Sequence, residues 1–349
     1  MGIIIKQSFK NLITTYFGFT IGAVNTLFLF TYFLEPEYYG LITFLLSAAS
    51  LLWPFMGFGV HSTLIKFFTF YKTREEKDRL LNLVLFLPLI VSVLLGIIVA
   101  SGYSFLINYF TQGNGLVRPY IWLIFLIAFA TAYFEIFFAW SKLFYKSVFG
   151  NFMKEVFHRF CISLLLLGVY FNWITVHHFI YCIVGVFILR LIAMKIYAFS
   201  LYLPRLNFKF PKNLSPVLKY TSLILIAGSV ATALLDLDKV MIEYFMPIEN
   251  VAIYGIAIYI ATVISVPQKA MHQITNPMTA EFLNTKNKKS LEELYKKSSL
   301  NLLIVSLLIF ILIISNVKQL YELIPDEYEL SILVVLLISL VKLYDNLLG

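Results

Sequence analysis

Charged side chains inside long apolar runs are the residues with chemistry to do, because each costs roughly 2.5 to 3.5 kcal/mol at mid-membrane unless it faces a partner or water. Asp236, Asp238, Lys239 and Glu243 form the densest set. Asp236 lies three residues before Lys239 and Glu243 four after it, a spacing that puts the three on one helical face. Two readings stay open. The charges can neutralise one another near the outer interface and fix helix packing, or Lys239 can serve as a cavity cation, which requires water access and a partner-free ammonium in one conformational state. A second set, Gln268, Lys269, His272 and Gln273, follows Pro267. The missing amide hydrogen bond of the proline, and the bend it favours, expose backbone carbonyls able to line a polar cavity. Pro54, Gly57, Gly59, His61 and Lys66 mirror that arrangement earlier in the chain, with Lys66 close enough to a helix end to reach the interface. His61 and His272 are equally explained as packing imidazoles between helices, and Asn25, in the middle of the first apolar run, shares that ambiguity.

The elements that position these groups are membrane helices. With 60% hydrophobic, 17% aromatic and 13% charged residues and a mean hydropathy of +0.85, the solvent for most of the chain is lipid. Ten runs are long enough to cross a hydrocarbon core of about 30 Å: 11–33, 41–68, 80–101, 117–140, 152–171, 174–203, 216–245, 251–282, 298–317 and 328–348. The fold class is therefore all-α and polytopic. The chain also repeats itself. Tyr39-Gly40, closing the turn Glu35-Pro36-Glu37-Tyr38, recurs as Tyr254-Gly255 after Pro247-Ile248-Glu249-Asn250. Each copy continues into a long apolar helix with an internal proline, Pro54 and then Pro267, and a lysine-rich loop. Two similar halves in a bilayer are how many secondary transporters are built. Residues 1–203 are expected to form a six-helix bundle and residues 204–349 a second, pseudo-symmetric bundle of which four helices are present. Pro54 and Pro267 are the expected hinges.

Basic loops mark the cytoplasmic side. Lys6 and Lys10, the Lys72 to Arg79 group, Lys142, Lys146, Lys154 and Arg159, then Arg205 to Lys219 and Lys286 to Lys297 all fall in alternate connections, which puts the amino terminus inside. The net charge of +8 is thus a topological label and an attraction for anionic membrane lipids, with no nucleic-acid partner expected. The first run is too long for a signal-peptide core and is expected to remain as a helix. Cys161 and Cys182 each sit inside a run and read as packing residues. His177-His178 beside Trp173 reads as an interfacial belt rather than a metal site. The longest external connection, Ser101 to Leu116, leaves no room for a catalytic domain, and no Walker-type loop, HExxH or Ser-His-Asp set is found. No enzyme activity, cofactor or metal is expected.

Several of these segments carry a family likeness. Phe9-Lys10-Asn11, Leu34 to Gly40 and Gly57-Phe58-Gly59-Val60-His61, together with Asp238-Lys239-Val240-Met241-Ile242-Glu243-Tyr244-Phe245 before Tyr254-Gly255, resemble bacterial polysaccharide-biosynthesis flippases. That is the Wzx-type branch of the multidrug/oligosaccharidyl-lipid/polysaccharide (MATE-like) exporter superfamily. The resemblance implies two six-helix halves around a central cavity, and movement of an undecaprenyl-pyrophosphate-linked oligosaccharide across the bacterial inner membrane for surface polysaccharide or lipopolysaccharide assembly. It implies as partners the lipid-linked oligosaccharide, membrane lipids and polysaccharide polymerase or export machinery. Inward-facing cations would hold the pyrophosphate by charge-assisted hydrogen bonds. Lys239, Lys269, His61 and His272 are the candidates, with Asn25 and Gln268 as polar neighbours and Asp236, Asp238 and Glu243 as ion-pair or coupling groups. A full second half would extend past Gly349, so the chain is expected to lack two to four final helices and to transport poorly alone. A cation-coupled drug exporter of the same superfamily is the alternative, disfavoured because residues 11–33 contain no Asp or Glu. A membrane glycan-assembly enzyme or scaffold is a further one.

Overall fold

The computed structural model describes residues 2–102, 115–206, 209–328 and 331–348, so most of the connection between Ser101 and Leu116 lies outside the described residues. Every regular element among the described residues is helical. In chain order they are α1 (Gly2–Val24), a π-turn (Asn25–Leu29), α2 (Phe30–Phe33), α3 (Pro36–Gly57), α4 (Val60–Phe67), α5 (Arg74–Ser101) and α6 (Ile121–Leu143). Then follow α7 (Ser147–Phe152), a second π-turn (Met153–Phe157), α8 (His158–Tyr170), α9 (Val176–Leu201), α10 (Leu214–Phe245), α11 (Glu249–Thr262), α12 (Val266–Asn284), α13 (Lys288–Tyr321) and α14 (Ile332–Leu348).

Eight helical runs among the described residues are long and apolar enough to cross a membrane: Phe9–Phe33, Pro36–Gly57, Arg74–Ser101, Gly115–Leu143, Val176–Leu201, Leu214–Phe245, Glu249–Lys269 and Lys288–Tyr321. The two remaining runs expected from the sequence are also helical but differ in kind. The stretch near 152–171 is α7, the π-turn and α8 in succession, with Lys154, Glu155, His158 and Arg159 crowded at its start. The last is α14, 17 residues long.

Starts follow local chemistry. Pro36 opens α3 with Glu37 in its first turn, a ring pre-set for the helix and a carboxylate at the positive end of the dipole. Thr73 caps α5 by accepting from the Glu76 amide at 3.3 Å, and Thr175 caps α9 by accepting from His178 at 3.3 Å, each satisfying an otherwise orphaned donor.

Two runs drawn as continuous are interrupted. The run at 41–68 stops at Gly57, turns through Phe58 (φ 46°) and Gly59 (φ 69°), and resumes as α4. Pro54 lies inside α3 one turn before this break. Thr63 and Thr221 hold the break against α10 through a 2.8 Å hydroxyl contact. The run at 251–282 divides at a 3-10 turn, Val263–Ser265, with Pro267 second in α12. Asn346 of α14 donates to the Ile264 carbonyl at 2.7 Å and to Ser306 at 2.6 Å, satisfying a carbonyl at the turn that would otherwise be costly in an apolar setting.

Helix α3 is the centre of the packing, in contact with α6, α10 and α11. The repeated Tyr-Gly motifs meet there. A Cβ on Gly40 would collide with the Ile248 carbonyl, and one on Gly255 would lie 3.3 Å from Thr43 Cγ2, so each motif's glycine admits the other motif's helix. Phe44 and Phe179 are fully buried in the cluster that contains this seam, and Trp140 and Phe134 in a second cluster with Val60 and Leu64. The outward faces of α5 (Ile90, Val93, Leu94, Ile97) and α13 (Ile304, Leu308, Ile311) are exposed and aliphatic, as lipid contact requires.

Candidate functional site

The two π-turns lie across from each other and shape one interior cavity. Asn25, at the first turn, donates to the Arg159 carbonyl at 2.9 Å and accepts from Ser163 at 2.6 Å. Asn25 is 3% exposed, so its amide is committed to tying α1 to α8. A π-turn widens the helix by one residue per turn and commonly re-aims side chains at functional sites. The second turn carries Lys154 and Glu155, with His158 and Arg159 immediately after it.

The cavity, about 420 Å³, is walled by α1, α2, α3, α6, α8, α9, both π-turns and, through Tyr259, α11. Its charged lining is Glu135, Lys154, Glu155, Arg159 and Arg190, with His158 beside them. Asn25, Thr26, Ser50 and Thr131 add small polar groups, and Phe30, Trp53, Phe187 and Tyr259 add aromatic faces. Four of the charges pair off. Lys154 Nζ lies 2.7 Å from Glu135 Oε1, and Arg159 Nη1 3.2 Å from Glu155 Oε2.

Arg190 is left over. It is 5% exposed, forms no ion pair within 4 Å among the described residues, and its Nε has no hydrogen-bond partner among them, although Glu135 and Glu155 act on it electrostatically from across the cavity. The guanidinium instead lies over two rings, 4.2 Å from the centroid of Phe134 and 4.7 Å from that of Phe187. Taking a cation out of water costs several kcal/mol even after relaxation, and each ring returns about 2 kcal/mol when desolvated. The formally charged lining is thus three cations, Lys154, Arg159 and Arg190, against two carboxylates, Glu135 and Glu155. What this arrangement does best chemically is accept an anion, with aromatic and hydroxyl groups nearby for a polar organic substituent.

The sequence-derived candidates are distributed over several places. Asn25 is in the cavity, in the tying role just described. His61 lines a neighbouring cavity of about 300 Å³ with Trp53, Pro54, Gly59 and Ser62; Trp53 borders both. His272 lines a third cavity, about 520 Å³, between α12 and α13 with Thr275, Lys288, Glu292 and Tyr295. Lys269 is exposed on α12, within electrostatic range of Lys154, Glu155 and Arg159. Gln268 donates to the Asp345 carbonyl at 3.4 Å. In α10, Lys239 pairs with Asp236 at 2.7 Å, Asp238 accepts from the Tyr254 hydroxyl, and Glu243 is 1% exposed. Lys239 therefore carries a partner in this arrangement and lies outside the central cavity.

Glu135 and Arg190 were not among the candidates. Their signal was present in the sequence: each is an isolated charge deep in an apolar run, Ala132-Tyr133-Phe134-Glu135-Ile136-Phe137 and Phe187-Ile188-Leu189-Arg190-Leu191-Ile192. Lys154 and Arg159 count as loop cations in a topological reading, and the structure instead turns them into the cavity. At the start of α9, His178 Nδ1 lies 2.7 Å from Thr175 Oγ1 and His177 contacts the Tyr120 hydroxyl. Cys161 and Cys182 are free thiols.

A family model, MatE, matches residues 224–344. That match supports the MATE-like exporter superfamily and, with the apolar helices, a multi-pass membrane protein of the transporter class. No curated protein and no solved structure matches the chain.

Proposed function

We propose that this chain flips a pyrophosphate-linked oligosaccharide lipid across the bacterial inner membrane by alternating access, in the assembly of a surface polysaccharide. Arg190 carries the reading. A buried guanidinium with no ion-pair partner among the described residues, in a cavity already holding two satisfied ion pairs, is explained by an anion that arrives as cargo. The pyrophosphate would take Arg190, the sugars would meet the Asn25, Ser50, Thr131, Trp53 and Tyr259 side of the same lining, and the prenyl tail would stay in lipid. Lys269 is the sequence-derived cation we keep as an auxiliary, since it sits within reach of the cavity's field. The amino terminus is cytoplasmic in this proposal, and membrane lipids and polysaccharide polymerase or export machinery are the partners.

The test is genetic and chemical. Deleting the gene in its host should make lipid-linked glycan accumulate on the cytoplasmic leaflet, and an Arg190→Gln copy should fail to clear it. Normal surface glycan after deletion counts against the proposal. Glu135 and Glu155 in the same cavity favour a second reading, a cation-coupled exporter of small molecules. Under that reading Glu135→Gln sensitises cells to cationic drugs and leaves surface glycan unchanged.

A further inference from the structure

Tyr259, on α11, is the one residue among the described cavity lining that comes from beyond residue 203. Its ring stacks on Phe19 of α1 at 5.1 Å and 18°, and its hydroxyl donates to the Phe19 carbonyl at 2.7 Å. One turn further along α1 is a notch. A Cβ on Gly22 would lie 2.6 Å from the Tyr259 hydroxyl and 3.2 Å from Arg159 Nε, so the absent side chain makes room for both groups. The same Arg159 is paired with Glu155 one turn earlier on its own helical run. The other end of α11 is seated on α3 where Ile248 meets Gly40. Immediately after Tyr259, α11 gives way to the 3-10 turn Val263–Ser265 and then α12, a place where the chain can bend.

We propose that Tyr259 is a positioning residue, a latch seated in the Gly22 notch that fastens α11 to α1 and sets which side of the membrane can reach the cavity. The proposal rests on reading the chain as an alternating-access transporter, and not on the identity of its cargo. With the latch seated, α1 and α11 close one flank of the cavity. An anion that draws Arg159 away from Glu155 changes the wall of the notch, giving the first-half cavity a mechanical link to the α11–α12 joint.

The test is side-resolved cysteine labelling of the full chain in sealed vesicles of either orientation. Cys161 and Cys182 are replaced by Ala, Ser50 by Cys as the cavity reporter, and a membrane-impermeant maleimide is the probe. Tyr259→Phe removes only the hydroxyl, and the ratio of labelling rates from the two sides should shift about two- to tenfold, the population change that one net hydrogen bond permits. Gly22→Ala fills the notch with Tyr259 intact and should shift the ratio in the same direction. An unchanged ratio in both variants, with only a lower melting temperature, makes Tyr259 a packing residue and overturns the latch. That outcome leaves the flippase reading untouched. Loss of the flippase reading in the glycan assay, with the ratio shifted, leaves the latch standing.

Discussion

Replacing Arg190 with Met should abolish transport while leaving the stability of the protein nearly unchanged. The Arg190 side chain belongs to a residue 5% exposed, with no ion pair among the described residues. Its burial costs several kcal/mol, of the kind that makes exchange of buried ions for apolar residues stabilising by roughly 1–4 kcal/mol. Against this, the contacts to Phe134 and Phe187 at 4.2 and 4.7 Å return about 2 kcal/mol each when desolvated. The two sides nearly cancel, so Arg190→Met is expected to change stability by less than about 1 kcal/mol, since methionine keeps the apolar stem and adapts its shape to the two rings. The assay is thermal unfolding of the full chain in nanodiscs, followed by tryptophan fluorescence, at several lipid compositions. Little change in unfolding temperature is expected, with clearance of lipid-linked glycan falling to the deletion level. A variant destabilised by more than about 1 kcal/mol shows that Arg190 is satisfied by the fold, and the anion argument then loses its basis.

Glu135→Gln strands Lys154, whose side chain is 43% exposed, so the full penalty of a broken buried pair is softened and a loss of about 1–2 kcal/mol is expected in the same unfolding assay. Asn25→Ala removes two side-chain hydrogen bonds to α8 and should cost about 1–2 kcal/mol, with protease nicking near the first π-turn as the readout. Gly40→Val drives a branched side chain into the Ile248 carbonyl and should separate α3 from α11, seen as loss of a disulfide engineered between Thr43 and Gly255 positions. Lys239→Gln breaks only a three-residue local pair, and glycan export within about twofold of wild type is expected, because local helix pairs are worth a few tenths of a kcal/mol.

Much of the architecture is legible from hydropathy, because backbone hydrogen bonding in lipid leaves helices as the form an apolar run takes. Interruptions are a different matter. The Phe58–Gly59 break places a phenylalanine at φ 46°, where propensity argues against it, and it is held by Thr63 meeting Thr221, a residue far away in sequence. The π-turns leave no compositional mark at all; Gly18 and Gly22, which let α1 approach Glu155 and Arg159, are the nearest thing to one. The site is legible in part. Glu135 and Arg190 violate hydropathy at mid-run and are visible for that reason, whereas Lys154 and Arg159 follow a basic connection and look like topological markers until tertiary packing turns them inward. The dense Asp236–Glu243 cluster draws attention by charge count, yet Lys239 spends its charge on Asp236 one turn away.

The account stands on the cavity being an anion site. Calorimetry on the full chain in nanodiscs, with UDP-N-acetylglucosamine as a sugar diphosphate diester and tetraphenylphosphonium as a cationic competitor, measures this directly. Binding of the sugar nucleotide, weakened at least tenfold by Arg190→Gln and indifferent to the phosphonium, is the predicted result. Phosphonium binding that depends on Glu135, with no heat from the sugar nucleotide, contradicts it.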